Sequence, residues 1–168
     1  MVNNMKKQNN AGFSLVELIV TILIMSILTA GGVVAVSAMH RADAEKEANK
    51  IASMLEKGRL QVLSQTESVY VRLYMEDDKA HISMVQGGVE TVVDLDEDVT
   101  IAYKKAGLSE VETTLASGGE VRVYFSKSSG AFKNTPGYLV EYIKVTADKT
   151  LYVCLVEDTG RCYIDTTY

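Results

Sequence analysis

The feature that most constrains this chain is an uncharged stretch of 22 residues, Leu18–Met39, which directly follows Glu17. As an α-helix that rises about 1.5 Å per residue, it spans roughly 33 Å. The hydrocarbon core of a membrane is about 30 Å thick, and helices of small soluble domains are rarely apolar on every face. The stretch therefore predicts one membrane-spanning helix. Its hydroxyl side chains, which we expect to bond to carbonyls of their own helix, belong to Thr21, Ser26, Thr29 and Ser37.

The charges around this stretch predict its orientation. Lys6 and Lys7 precede it, whereas a mixed and acidic sequence follows it from His40 onward. The positive-inside tendency then places the N-terminus in the cytoplasm and residues 40–168 outside. Two other interpretations are a plain uncleaved anchor and a secretory signal peptide cut after Ala38. Against a signal peptide stand the charge of Glu17 and a hydrophobic run longer than about 15 residues.

The residues before the stretch form a specific pattern of a short basic leader, a glycine, a phenylalanine, a few apolar residues and a glutamate. This pattern resembles the N-terminal signature of type IV prepilins and pseudopilins, in which the glutamate is the fifth residue after the glycine. A proline that many members carry further along is replaced here by Val34, although Gly31 and Gly32 also soften a helix. The residues that match the signature are Lys6 and Lys7, then Gly12, Phe13 and Glu17.

The resemblance implies how the precursor matures and assembles. A membrane-embedded prepilin peptidase would cut between Gly12 and Phe13 and methylate the new amine of Phe13. Glycine suits a scissile bond because it lets a protease approach the backbone closely. Glu17 would pair with the Phe13 amine of a neighbouring subunit and set the axial register of a filament. The alternative for Glu17 is an interfacial residue that reaches water.

The helical pattern continues beyond Met39 but becomes amphipathic, with apolar residues at i, i+3, i+4 and i+7. No proline interrupts Phe13–Thr66, so we predict one long helix; two helices hinged at Gly31-Gly32 or near His40 are the alternative. Lys46, Glu47, Lys50, Glu56 and Lys57 are expected on the outer faces. The apolar stripe consists of Ala44, Ala48, Ile51, Ala52, Leu55 and Val62.

From Ser68 onward the period changes to two, which indicates strands. Residues 106–119 lack a pattern and are interpreted as a surface excursion. A run of antiparallel strands after one helix predicts an α+β fold, with the amphipathic half of the helix packed on a β-sheet domain. The later segments also resemble H-type minor pseudopilins. The expected strands are 69–76, 80–85, 90–95, 99–103, 121–126, 138–146, 149–156 and 161–165.

Two further groups of residues are candidate sites. Cys154 and Cys162 flank a turn-like sequence, and a disulfide is permitted if the domain is extracytoplasmic; reduced thiols packed in the core or offset in register are the alternative. Asp94, Asp96 and Asp98 have the spacing of the first half of a calcium loop but lack its later glycine and glutamate. We therefore interpret them as a solvated acidic turn and predict no cofactor or metal.

The composition excludes other classes of function. Seventeen Lys+Arg against 22 Asp+Glu give a net charge of −5, which argues against nucleic-acid binding. The sequence has no recognisable catalytic motif, so we predict that the protein is not an enzyme.

The resemblance also implies the partners of the chain. The expected partners are other pilin or pseudopilin subunits, the prepilin peptidase, the inner-membrane assembly platform and the membrane. A membrane-anchored or secreted binding module without a filament role is the rival interpretation.

The predicted organisation has four parts. Residues 1–12 are a leader, residues 13–39 a transmembrane and filament-core helix, residues 40–66 an amphipathic continuation, and residues 67–168 an extracytoplasmic β-rich domain. The precursor is expected in the cytoplasmic membrane, and the assembled subunit in a filament of a pilus, a type II secretion system or a competence system.

Overall fold

The computed structural model describes residues 14–64, 67–107, 111–133, 139–147 and 149–168, with the backbone alone for residues 28–43. The chain divides into two compact units, Met1–Ala38 and Met39–Tyr168. The fold is α+β, as predicted, with a helix followed by antiparallel strands. The elements are α1 (Leu15–Ser64), β1 (Val69–Glu76), β2 (Lys79–Gln86), β3 (Val89–Asp94), β4 (Thr100–Lys105), β5 (Thr113–Thr114), β6 (Glu120–Tyr124), β7 (Val140–Thr146), β8 (Thr150–Val156) and β9 (Arg161–Asp165).

The helix prediction agrees with the structure over the described residues. Every residue of Leu15–Ser64 is assigned to one α-helix, α1, and not to two helices. The predicted first residue, Phe13, and the predicted last residues, 65–66, lie outside the described residues.

The first sheet has four strands, in the order β3-β2-β1-β6. Two-residue turns connect β1 to β2 and β2 to β3, at Asp77-Asp78 and at Gly87-Gly88. All four turn residues have positive φ angles, which matches the right-handed twist of the flanking strands. The partner of β1 on its other side is β6, which lies more than forty residues further along the chain.

The second sheet has the order β5-β4-β7-β8-β9. The pairing of β4 with β7 contains a bulge between Lys104 and Lys105. The predicted surface excursion at 106–119 is only partly correct, because Thr113 and Thr114 form β5 and Leu115 is buried in the core. The sequence prediction had one antiparallel sheet domain, whereas the strands divide between two sheets.

The helix packs against both sheets in the second unit. Gln61 Nε2 donates to Gln86 Oε1 at 2.8 Å in the four-stranded sheet, and Arg59 Nε donates to the Thr159 carbonyl at 3.0 Å beside the five-stranded sheet. The predicted apolar stripe is confirmed, since five of its members are buried and Ala52 packs against them. These five are Ala44, Ala48, Ile51, Leu55 and Val62.

Two positions on α1 depart from a simple amphipathic pattern. Gly58 lies so close to the four-stranded sheet that a Cβ there would approach Val71 Cγ2 to 2.9 Å and Phe125 Cε2 to 3.0 Å. Glu47, which we expected on an outer face, is fully buried. Its Oε1 lies 2.8 Å from the Lys50 ammonium, so a counter-charge at the edge of the core accompanies the buried carboxylate.

Candidate functional site

The N-terminal segment of α1 begins with a defined cap. Ser14 precedes the helix, and its Oγ accepts a hydrogen bond from the backbone N–H of Glu17 at 3.2 Å. A serine at this position satisfies one of the free N–H groups of the first turn. Glu17 lies three residues later and carries the only acidic group of that turn, where a carboxylate interacts favourably with the helix dipole. This S-x-x-E capping signature is visible in the sequence, although the helix start was not predicted from it.

The segment after the cap exposes apolar side chains on all sides of the helix. Ten large apolar side chains between residues 15 and 27 are between 46% and 76% exposed. Thr21 and Ser26 donate their hydroxyl protons to the carbonyls of Leu18 and Leu23, at 2.9 and 2.8 Å, as predicted. The helix itself thus satisfies these two polar groups, and Glu17 is the only charged residue of this range.

Several predicted positions of this site lie outside the described residues. They are the leader lysines Lys6 and Lys7, the predicted cleavage pair Gly12 and Phe13, and the side chains of residues 28–43. Within the described residues, no helix combines the length and the apolar character that crossing a membrane requires. The predicted span 13–39 falls partly outside them.

Comparison with known proteins identifies the class of this segment. Residues 7–33 match the family model described as the prokaryotic N-terminal methylation motif. The match supports a likeness to type IV prepilins and pseudopilins, as the resemblance implied. The motif marks structural proteins of the pilin kind. No curated protein and no solved structure was found to match the chain.

The predicted disulfide is not formed in the structure. Cys162 pairs with Leu155 across β8 and β9, whereas Cys154 pairs with Tyr163. Because paired residues share a face of the sheet, the two thiols lie on opposite faces, and both are free. The alternative of reduced thiols that are offset in register by one residue therefore agrees with the structure. Cys162 instead donates to the Ala52 carbonyl of α1 at 3.6 Å.

Burial changes the acidity of both thiols. Desolvation raises the pKa of Cys154, and it raises the pKa of Cys162 to about 11, with a smaller contribution from the negative charge of Glu56. A thiol must lose its proton to act as a nucleophile or a metal ligand. Burial therefore favours the protonated, less nucleophilic form of both thiols.

The three candidate metal ligands do not converge on one point. Asp94 Oδ1 lies 2.9 Å from His81 Nδ1, and Asp96 Oδ1 accepts a hydrogen bond from the backbone N–H of Asp98 at 3.2 Å. The Asp94 side chain is largely exposed. Among the residues that the structure describes, no group of three His, Cys, Asp or Glu side chains is placed to hold a metal ion.

A cluster of tyrosines on the outer face of the five-stranded sheet was not anticipated. The rings of Tyr142 and Tyr168 lie 4.3 Å apart, and Tyr152 meets Tyr142 edge-on at 5.3 Å. Tyr142 Oη donates to Glu112 Oε2 at 3.1 Å, and the Lys144 ammonium donates to Glu112 Oε1 at 2.9 Å. The pairing of β7 with β8 brings Tyr142 and Tyr152 to one face of the sheet, and Tyr168, beyond the end of β9, joins them there.

The cluster behaves as a structural unit. Burial, with a smaller contribution from the hydrogen bond to Glu112, raises the pKa of Tyr142 to about 12. The hydroxyl therefore remains a hydrogen-bond donor throughout the physiological range and does not act as a general base. The cluster closes the outer face of the sheet by aromatic contacts.

Proposed function

We propose that the chain is the precursor of a minor pilin or pseudopilin, of the H type, which assembles into a filament through residues 13–39. The observation that carries the proposal is the helix segment that bears the methylation motif and exposes ten large apolar side chains around a single charge. Fully burying one such side chain is worth about 1.5–3 kcal/mol. A segment of this kind needs lipid or neighbouring helices around it.

Maturation is the first step of the proposed function. The prepilin peptidase cuts between Gly12 and Phe13 on the cytoplasmic side and methylates the amine of Phe13. Residues 13–39 hold the mature chain in the cytoplasmic membrane, with residues 40–66 and 67–168 on the outer side. The assembly platform then transfers the subunit into a pilus, a type II secretion filament or a competence filament.

The role that we propose for Glu17 is to fix register. A carboxylate within a bilayer costs roughly 2.5–3.5 kcal/mol at the midplane, and a positive partner offsets this cost. The Phe13 amine of a neighbouring subunit supplies that partner in the filament. The position of Glu17 in the first turn of α1 supports this role, because the residue lies only four positions after Phe13 in the sequence.

The processing step is tested with the full precursor, expressed with and without a prepilin peptidase. We expect intact mass and N-terminal sequencing to show N-methylphenylalanine at residue 13 only when the peptidase is present. Gly12→Val should abolish cleavage, whereas Glu45→Gln, at an exposed position further along the chain, should leave it unchanged. A chain that keeps Met1, or that starts at Met39, would contradict the proposal and support an anchor or a secreted module.

The assembly step is tested in the source cell with Glu17→Gln, which removes the charge but keeps the shape. We expect less of the variant in the sheared filament fraction, with normal cleavage and normal amounts in the membrane. Glu45→Gln is the matched control, because it removes an exposed carboxylate further along the same helix. Equal incorporation of the two variants would refute the register role.

A further inference from the structure

A basic groove lies between α1 and β3 in the second unit. It has a volume of about 350 Å³. We call it the lysine groove and define it by Lys46, Lys50, Met54 and Lys57 of α1 and by Val93 of β3. The three lysines follow one another at i, i+4 and i+11, which places them on one face of the helix. The floor between them is apolar.

The strand beside the groove has a free edge. Among the described residues β3 pairs with β2 alone, and it is the first strand in its sheet. Its side chains are unusually open, since Val89 is 71% exposed and Val92 is 45% exposed. Natural edges are protected by charged side chains, proline or a bulge. β3 contains no proline or lysine, its register is regular, and the carboxylate of its Glu90 is already paired with Arg72 of β1 at 2.8 Å. An edge of this kind pairs readily with another strand.

Two hydrogen bonds join the helix to the hairpin that contains β3. At one end the Lys50 ammonium donates to the Asp94 carbonyl at 2.9 Å. At the other end Gln61 bonds to Gln86, which pairs with Val89. Eleven helical residues span about 16 Å, and the six residues of β3 span about 17 Å. The groove and the free edge lie next to each other, since Val93 of β3 lines the groove.

The backbone groups that face outward follow from the hairpin geometry. In a two-residue hairpin the pair that flanks the turn, here Gln86 and Val89, is hydrogen-bonded, and bonded pairs then alternate. The bond from the Leu95 N–H to the Ala80 carbonyl at 2.9 Å continues the same alternation. The N–H and C=O groups of Val92 therefore point away from β2, toward the free edge.

We propose that the free edge of β3 and the lysine groove bind an extended acidic segment of another protein chain, which adds as a fifth strand to the four-stranded sheet. Charge complementarity favours this occupant, because three lysines concentrate here in a chain of net charge −5. Buried Glu47 pairs with Lys50, and the exposed carboxylate of Asp94 lies near the same end. The strongest attraction for an acidic side chain is therefore at Lys57.

The expected partner has an alternating sequence. Successive side chains of a strand point to opposite faces. Acidic side chains on the helix side reach the lysines, and apolar side chains on the other side lie next to Val92. The backbone hydrogen bonds give affinity, and the alternate side chains give specificity, as in other cases of strand addition.

Binding is tested on the full chain in detergent micelles, with a fluorescein-labelled valine–aspartate repeat peptide as the probe and a valine–lysine repeat as its counterpart. We expect fluorescence anisotropy to show that the acidic peptide binds and that added salt weakens it. Val92→Pro removes only the outward N–H, which an edge strand tolerates, and should weaken binding at least about tenfold. Val92→Thr keeps the N–H and should bind like the wild type. Lys57→Glu should reverse the preference between the two peptides.

Several results would overturn the proposal. These are absent binding, equal binding of both peptides, or unchanged binding by Val92→Pro with an unaltered unfolding midpoint. If the wild type self-associates and Val92→Pro makes it monomeric, the occupant is a second copy and the acidic partner is wrong. The test is independent of the proposed filament role, since leader cleavage at Gly12 is measured separately and should be the same in every variant.

Discussion

The buried pair of Glu47 and Lys50 gives a prediction whose size follows from the structure. The Glu47 side chain is fully buried, and neither of its oxygens accepts a hydrogen bond from the described residues. The Lys50 ammonium lies 2.8 Å from Oε1, but its orientation does not make a hydrogen bond. The pair therefore depends on charge, and Lys50 is the main group that compensates the buried carboxylate.

Lys50→Met keeps the length of the side chain and removes its charge. At 2.8 Å the attraction between the two charges is about 6 kcal/mol for an effective dielectric constant of about 20. Lys50 is 28% exposed, so water screens part of this energy. Breaking a buried pair from one side typically costs about 3–5 kcal/mol, and we expect a loss near 3 kcal/mol in the free energy of unfolding.

The assay is urea unfolding of the full chain in micelles, followed by near-UV circular dichroism of the tyrosines. Lys46→Met is the matched control, because this lysine is 61% exposed and lies 4.0 Å from the same carboxylate; it should cost less than about 0.5 kcal/mol. The double variant Glu47→Met with Lys50→Met should recover to within about 1 kcal/mol of the wild type. Equal losses for the two single lysine variants would refute the reasoning.

Three further predictions concern the packed domain. Gly58→Ala should lower the free energy of unfolding by about 1–2 kcal/mol, because overpacking against Val71 outweighs the better helix propensity; higher stability would contradict the close approach. Alkylation of the denatured, unreduced protein should label both Cys154 and Cys162, and a mass without labels would instead support a disulfide. Labelling of the native protein at pH about 8 should be slow. Because the folded pKa of Tyr142 is raised to about 12, its contribution to stability is complete below pH about 10 and is lost as the pH rises toward 12. Tyr142→Phe should therefore lose less stability than the wild type between pH 10 and 12, and identical losses would exclude this contribution.

The local parts of the fold were predictable because they depend on neighbours in the sequence. The two-residue turn at Asp77-Asp78 fixes the register of β1 and β2, and alternation then decides which side chains enter the core. The helix stripe was predictable for the same reason. The Ser14 cap depends on an equally local signature, S-x-x-E, and the start of the helix could therefore have been predicted from it.

The remaining features depend on pairing between distant segments. No local pattern selects β6 as the partner of β1, so the division into two sheets was not predicted. The same holds for Cys154 and Cys162, where a shift of one residue moves a side chain to the opposite face. Glu47 was wrongly predicted on an outer face of the helix. Its carboxylate is buried beside Lys50, which reaches it from the edge of the core, and helical periodicity alone does not predict this contact.

The contrast between the two units has a consequence for assembly under the proposed function. Each mature chain carries an acidic outer domain, so neighbouring domains repel, although salt screens this repulsion over about 8 Å. Lipid tails are as apolar as the side chains that precede residue 28, and moving the helix from lipid into a filament therefore gains little hydrophobic energy. Extraction without immediate cover would instead expose about ten apolar side chains at once. The helix can thus leave the membrane only while neighbours already surround it. Such packing is similar for all subunits with this segment. The discrimination between partners must therefore come from the outer domain, where the free edge of β3 offers five exposed residues.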